Sequence, residues 1–132
     1  MNFEWELYIC LACKLTNTLE SSLLYKASLR SAISRSYYGV YGVATTYLLE
    51  EKHIPEIPRK DPHRFVRDQF QSSPDRKEVQ IGENMSRLWR GRQNADYDDN
   101  FSVDSPEAKK YLKMAITTVI DLKNRRNKVI TH

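Results

Sequence analysis

Glycine and proline are scarce in this 132-residue chain, at four and five copies. A β-sandwich or barrel, with a turn every few residues, needs more of both. Long apolar runs are also missing. The longest uncharged stretch, Ser36 to Leu49, is 14 residues and carries several hydroxyls, whereas a bilayer span takes roughly 20 apolar residues. The start, Met1 to Leu7, has Glu4 and Glu6 where a secretory leader would have lysines and an apolar run. Cysteine is limited to Cys10 and Cys13. These absences make the cytoplasm the expected compartment, with no membrane-spanning segment expected.

Cys10 and Cys13 form a C-x-x-C. A redox dithiol of that form sits at a helix N-terminus after a strand; this pair lies inside an apolar helical stretch, so burial as small hydrophobes is the expectation. A zinc site needs further ligands, and His53, His63 and His132 show no paired spacing. No metal and no cofactor are expected.

What the chain does have is helical periodicity. Hydrophobic residues make up 40% and charged residues 29%, a globular balance in one domain, 1–132. The spacing predicts five helices. The first covers about Phe3 to Leu15. The second runs from about Ser22 to Lys52, with Ile33, Tyr37, Tyr41, Ala44 and Leu48 on one face. Its Gly39 and Gly42, at i and i+3, permit a close helix approach. Ile54 to Pro58 breaks it.

A third helix begins with Asp61 as N-cap and Pro62 at the first position. The fourth, about Asp75 to Tyr97, has Gly82 and Gly91 weakening its interior. Ser105-Pro-Glu107 caps the last helix, whose stripe is Ala108, Tyr111, Leu112, Ala115, Ile116, Val119 and Ile120. The fold class is therefore all-α, an up-and-down bundle of four to five helices.

Charge is uneven. Residues 59–92 hold nine bases and five acids, 96–107 five acids and no base, and 109–128 seven bases against Asp121 alone. The net +4 is compatible with a phosphate-bearing partner and equally with solvated helix faces. Eight of the 14 aromatics are tyrosine, and Tyr37, Tyr38, Tyr41 and Tyr47 share the second helix.

Two constellations carry chemistry. Arg92 continues the apolar stripe of Met85, Leu88 and Trp89, and Asp96 follows at i+4. A guanidinium on a core-facing stripe needs a partner, so the pair reads either as a structural latch or as an anion site. On the second helix Arg35 neighbours Tyr37, Tyr38 and Tyr41, which can stack a base or hold a phosphate, or simply fill the core.

Ser34-Arg-Ser-Tyr-Tyr38, Arg92-Gln-Asn-Ala-Asp-Tyr97 and Pro62-His-Arg-Phe-Val66, with the last helix opening Ser105-Pro-Glu, resemble the motifs of the HEPN domain family. Arg92 to Tyr97 resembles the R-x-x-A-D-Y segment of one large subgroup of that family. The resemblance covers roughly Ser22 to Val129 in the family's order. It implies a helical bundle that forms a homodimer, is often encoded beside or fused to a nucleotidyltransferase, and often serves in toxin–antitoxin or defence systems. Active members are metal-independent RNases in which an Arg and a following His act on the phosphodiester. Here the positions where that His would fall are Tyr97, Asp98 and Asp99, so Arg92 is expected to bind rather than cut.

Three functions follow. The first is a dimeric nucleotide- or RNA-binding module, or nucleotidyltransferase partner, with Arg92, Asp96, Tyr97, Arg35 and Tyr38 at its site. The second is an RNase using Arg126 and His132, or Arg92 with Tyr97. The third is a purely structural dimer.

Overall fold

The computed structural model describes residues 3–130 and contains five helices: α1 (Glu6–Thr16), α2 (Tyr25–Glu50), α3 (Pro62–Gln71), α4 (Arg76–Tyr97) and α5 (Ser105–Ile130). There is no strand among the described residues. The expected all-α bundle is what the chain forms, and no described helix is long and apolar enough to cross a membrane. The central element is α2, which packs against each of the other four helices. Its Ile33, Tyr37, Val40, Ala44 and Leu48 are sealed from solvent, and Val66, Phe70, Ile81, Met85, Leu88, Ala115 and Leu122 close the core around them.

The two α2 glycines act as expected. A Cβ at Gly42 would fall 2.0 Å from the Trp5 ring, and one at Gly39 would fall 2.6 Å from Ile9. Bare backbone here lets α1 lie directly on α2. The α4 glycines do more than weaken a helix. Gly82 admits the Phe70–Gln71 end of α3, and Gly91 seats the ring of Tyr111.

Several expectations are corrected. Cys10 and Cys13 are both exposed, because α1 turns only its Ile9, Ala12 and Thr16 side inward, and both thiols fall off that narrow arc. Asp61 does not cap α3 with its side chain. It adopts a left-handed conformation (φ 50°) and offers its carbonyl to Phe65 N–H. The cap of α5 is Asp104 rather than Ser105: Asp104 Oδ1 accepts from Glu107 N–H at 2.9 Å, while Ser105 Oγ donates to the Thr16 carbonyl. Ile116 and Ile120 stand out in solvent, since α5 meets the bundle on one flank only. Asp75, by contrast, caps α4 through Lys77 N–H at 2.8 Å.

A buried carboxylate ties the far ends of three helices. Glu78 on α4 is 1% exposed and accepts from the Tyr47 hydroxyl at 2.5 Å, Ser73 Oγ at 2.6 Å and Lys52 Nζ at 3.1 Å. Arg125 on α5 lies 3.7 Å from it and also pairs with Asp75. Burial opposes the charge, but the hydrogen bonds from Ser73, Tyr47 and Lys52 outweigh it and hold the Glu78 carboxyl below its ordinary pKa. Removing one member of such a pair strands the other's charge. Glu78→Ala should therefore destabilise the fold by about 3 kcal/mol, the low end for a buried pair because Lys52 keeps water contact. Urea unfolding measures this, and a loss below about 1 kcal/mol would show that the network is idle.

Beside this cluster α2 stops in a turn, with Ile54 N–H donating to the Leu48 carbonyl. His53 takes the left-handed position at φ 55°, where a side chain costs about 1–2 kcal/mol and glycine costs far less. Exposed His53 should thus be replaceable: His53→Gly is expected to raise stability by about 1 kcal/mol in urea, and a decrease would refute the strain.

Candidate functional site

One face of the bundle gathers side chains from four helices around Arg92. The residue sits on α4 one turn after Leu88, so the helical repeat carries it inward towards α2. Its side chain is 12% exposed and Nε lies 3.0 Å from Asp96 Oδ2. The N–H is not aligned on that oxygen, and Nε remains buried without a hydrogen-bond acceptor. Asp96 also accepts from Ser34 Oγ at 3.1 Å, which links α4 to α2. Rings wall the guanidinium: Tyr38 at 5.2 Å, Trp89 at 5.2 Å and Tyr97 at 5.3 Å. Arg92 Nη2 also donates to the Tyr97 hydroxyl at 3.4 Å.

Arg35 lies on the other side of Tyr38, 5.1 Å from its ring and 4.9 Å from that of Tyr8 on α1. Among the described residues it makes no ion pair. Arg92, Asp96, Tyr97, Arg35 and Tyr38, five residues singled out by spacing and motif, therefore meet in one place.

The face also contains two residues that spacing did not select, His63 and Arg67. His63 stacks on Trp89 at 4.7 Å, lies 4.3 Å from the Tyr41 ring, and shares a 2.7 Å hydrogen bond between Nδ1 and the Tyr37 hydroxyl. Arg67, one turn further along α3, stands 5.1 Å from the opposite partner in this stack, the Trp89 ring. Its Nη1 is buried with no acceptor. The signal for His63 was present in Pro62-His-Arg-Phe-Val66. Arg67 follows at i+4 from it, and Trp89 precedes Arg92 by three, so helical periodicity places each beside its partner.

Cations outnumber carboxylates in the face. Arg35, Arg67 and Arg92 approach with Asp96 as the one paired carboxylate. Burial, and then the charges of Arg92 and Arg67, push the His63 pKa down from 6.5, with Asp61 opposing. The Tyr37 hydroxyl is pushed well above its ordinary value by burial, with Arg67 partly offsetting. Tyr37 therefore stays protonated, and its hydroxyl shares one hydrogen bond with Nδ1 of His63.

The remaining candidates lie elsewhere. Arg126 projects from the far end of α5, paired with Glu50 and, at 3.3 Å, with Glu51. His132 lies outside the described residues. The loop after α4 is held by Arg30, which donates to the carbonyls of Ala95, Asp99 and Phe101 and so fixes the end of α4 that bears Asp96 and Tyr97. Among the described residues no group of three or more His, Cys, Asp and Glu is placed to hold a metal ion. No protein-family model matches the chain, and no curated protein matches it in sequence.

The His63 shift sets a sign for pH dependence. Its folded-state pKa lies below 6.5, so the unfolded chain takes the proton first. Its contribution to stability is complete above about pH 6.5 and is lost as pH falls through the window beneath. Urea unfolding across that window should show a shallower pH slope for His63→Gln than for the parent chain. Equal slopes would remove His63 from the account.

Proposed function

We propose that this chain is a HEPN-like, dimer-forming module that binds RNA or a nucleotide through the face around Arg92, and that it works beside a nucleotidyltransferase-type partner. The observation that carries this reading is the grouping of three guanidiniums with the rings of Tyr38, Trp89 and Tyr97 around one paired carboxylate. Flat rings and guanidinium planes accept unstacked bases at about 1–3 kcal/mol each. An excess of fixed cations answers the phosphates. Asp96 holds Arg92 in position through its ion pair, with Ser34 steadying the carboxylate.

Chemistry is the second reading. A metal-independent RNase needs a proton-transfer group near a guanidinium that can stabilise the phosphorane. Neither Tyr97 nor the acids after it suit that role at neutral pH. His63 favours the second reading, because its ring feels the Arg92 charge and is held in place by the hydrogen bond to Tyr37.

The test is fluorescence anisotropy with a labelled single-stranded RNA. Arg35→Ala is the cleanest variant, since Arg35 breaks no ion pair. It should weaken binding about tenfold and lower the salt slope by about one. Arg92→Ala should weaken binding at least as much while the circular dichroism stays helical. Absence of RNA binding at low salt, or unchanged affinity in both variants, overturns the proposal. Unfolding by Arg92→Ala with normal binding by Arg35→Ala marks the pair as a latch. RNA cleavage without added metal that is lost in His63→Ala selects the RNase reading.

A further inference from the structure

A groove that shares no residue with the Arg92 face lies between α4 and α5. Asn84 meets Thr118 at 3.2 Å and Gly91 seats the ring of Tyr111. The helices are therefore antiparallel and stay in step over two turns, about 10 Å at 1.5 Å per residue. The space between them is about 530 Å³. Its α4 wall falls at Arg87, Arg90, Gly91 and Asn94. The α5 wall falls at Glu107, Lys110, Tyr111 and Met114. Both walls follow i, i+3, i+4, i+7, the spacing of one helix face, so the groove runs straight between two ridges.

Burial sorts this lining into a floor and two lips. Gly91 is buried, while Tyr111 and Met114 are half-buried, and together they make the floor apolar. A Cβ at Gly91 would fall 2.4 Å from Tyr111 Cε1, so any side chain there would push the ring out into the groove. Arg87 and Arg90 on one lip and Lys110 on the other are exposed. None of the three is ion-paired among the described residues. Glu107, one turn before Lys110, is the one carboxylate in the lining.

An apolar floor between unpaired cations on both lips complements a helix whose apolar stripe is bordered by carboxylates. A nucleic-acid strand is a poorer match. It is anionic at every unit and would bring a phosphate to Glu107, whereas a peptide can place a neutral or basic residue there. A merely solvated basic face would have no use for the floor.

We propose that the α4–α5 groove docks an acidic amphipathic helix of a partner protein. Its carboxylates meet Arg87, Arg90 and Lys110, and its apolar stripe lies on Tyr111 and Met114.

The probe is a labelled synthetic peptide of about 18 residues, five turns of helix, with leucines on one face bordered by glutamates. A scramble of the same composition and a lysine-bordered version are the controls. Fluorescence anisotropy with the full chain at low salt should show binding of the glutamate-bordered peptide alone. Arg90→Glu and Lys110→Glu, both at exposed positions, should each weaken it about tenfold. The double variant should take the lysine-bordered peptide instead, with circular dichroism still helical. Arg35→Ala should leave peptide binding unchanged, which separates this groove from the Arg92 face. No binding of the glutamate-bordered peptide, equal binding of the scramble, or unchanged affinity in both reversals overturns the proposal. Loss of peptide binding in Arg35→Ala also overturns it, by placing the peptide on the Arg92 face. So does a single-stranded RNA that displaces the peptide and itself loses affinity in Arg90→Glu, which assigns the groove to nucleic acid.

Discussion

Burying α2 on nearly every side is the constraint on which the rest of this structure depends. A helix surrounded by neighbours usually carries only apolar side chains, yet α2 takes Ser34, Ser36, Tyr37 and Tyr47 into the interior. Each polar group then needs a partner that only another helix or its own backbone can supply. Ser36 returns its hydroxyl to the Ala32 carbonyl. Tyr47 reaches Glu78 on α4, Tyr37 reaches His63 on α3, and Ser34 reaches Asp96. The order in which helices pack on α2 is thus fixed by hydrogen-bonding demands as much as by apolar contact. A register slip of α3 or α4 would leave a buried hydroxyl or carboxylate unpaired, at about 1–3 kcal/mol for each neutral group.

The same logic separates the two charged regions of the molecule. Around Glu78 every partner is present: the carboxylate receives a tyrosine, a serine and a lysine, with an arginine behind. Around Arg92 the satisfaction is partial. Asp96 pairs with Arg92 alone, Arg92 Nε and Arg67 Nη1 lack acceptors, and the guanidiniums of Arg35, Arg67 and Arg92 lie against rings. The first arrangement is what a structural tie requires. The second leaves two buried guanidinium nitrogens without an acceptor, which a structural tie does not call for.

Much of this was legible in the sequence where periodicity and motif agree. The α2 stripe, the close approach at Gly39 and Gly42, and the placement of Arg92 beside Asp96 all follow from helical spacing, because i, i+3 and i+4 neighbours meet whatever the tertiary fold. What spacing within one helix cannot give is the angle at which another helix arrives. His63 and Arg67 lie on α3, and their stacking on Trp89 depends on the chain reversal through residues 51–61. The burial expected for Cys10 and Cys13 failed for a related reason. The apolar character of α1 runs round more of its circumference than its neighbours cover, and Leu7 and Leu11 are exposed alongside the thiols. Caps were misplaced by one residue at α5 because Asp104 and Ser105 are both good caps and backbone geometry chose between them.

Energetics set a cost on the Arg92 face. An apolar residue of similar volume at position 92 would avoid the desolvation of a guanidinium and leave no N–H without an acceptor, and such replacements are often neutral or stabilising. Position 67 poses the same choice, and its guanidinium too has a buried nitrogen without an acceptor. Both charges approach the one indole of Trp89, at 5.1 and 5.2 Å, where mutual repulsion adds to the cost and the ring face recovers only part of it. Two destabilising choices at a single ring, on separate helices, make little sense for packing alone. The binding function proposed above would give these two charges a role that packing does not.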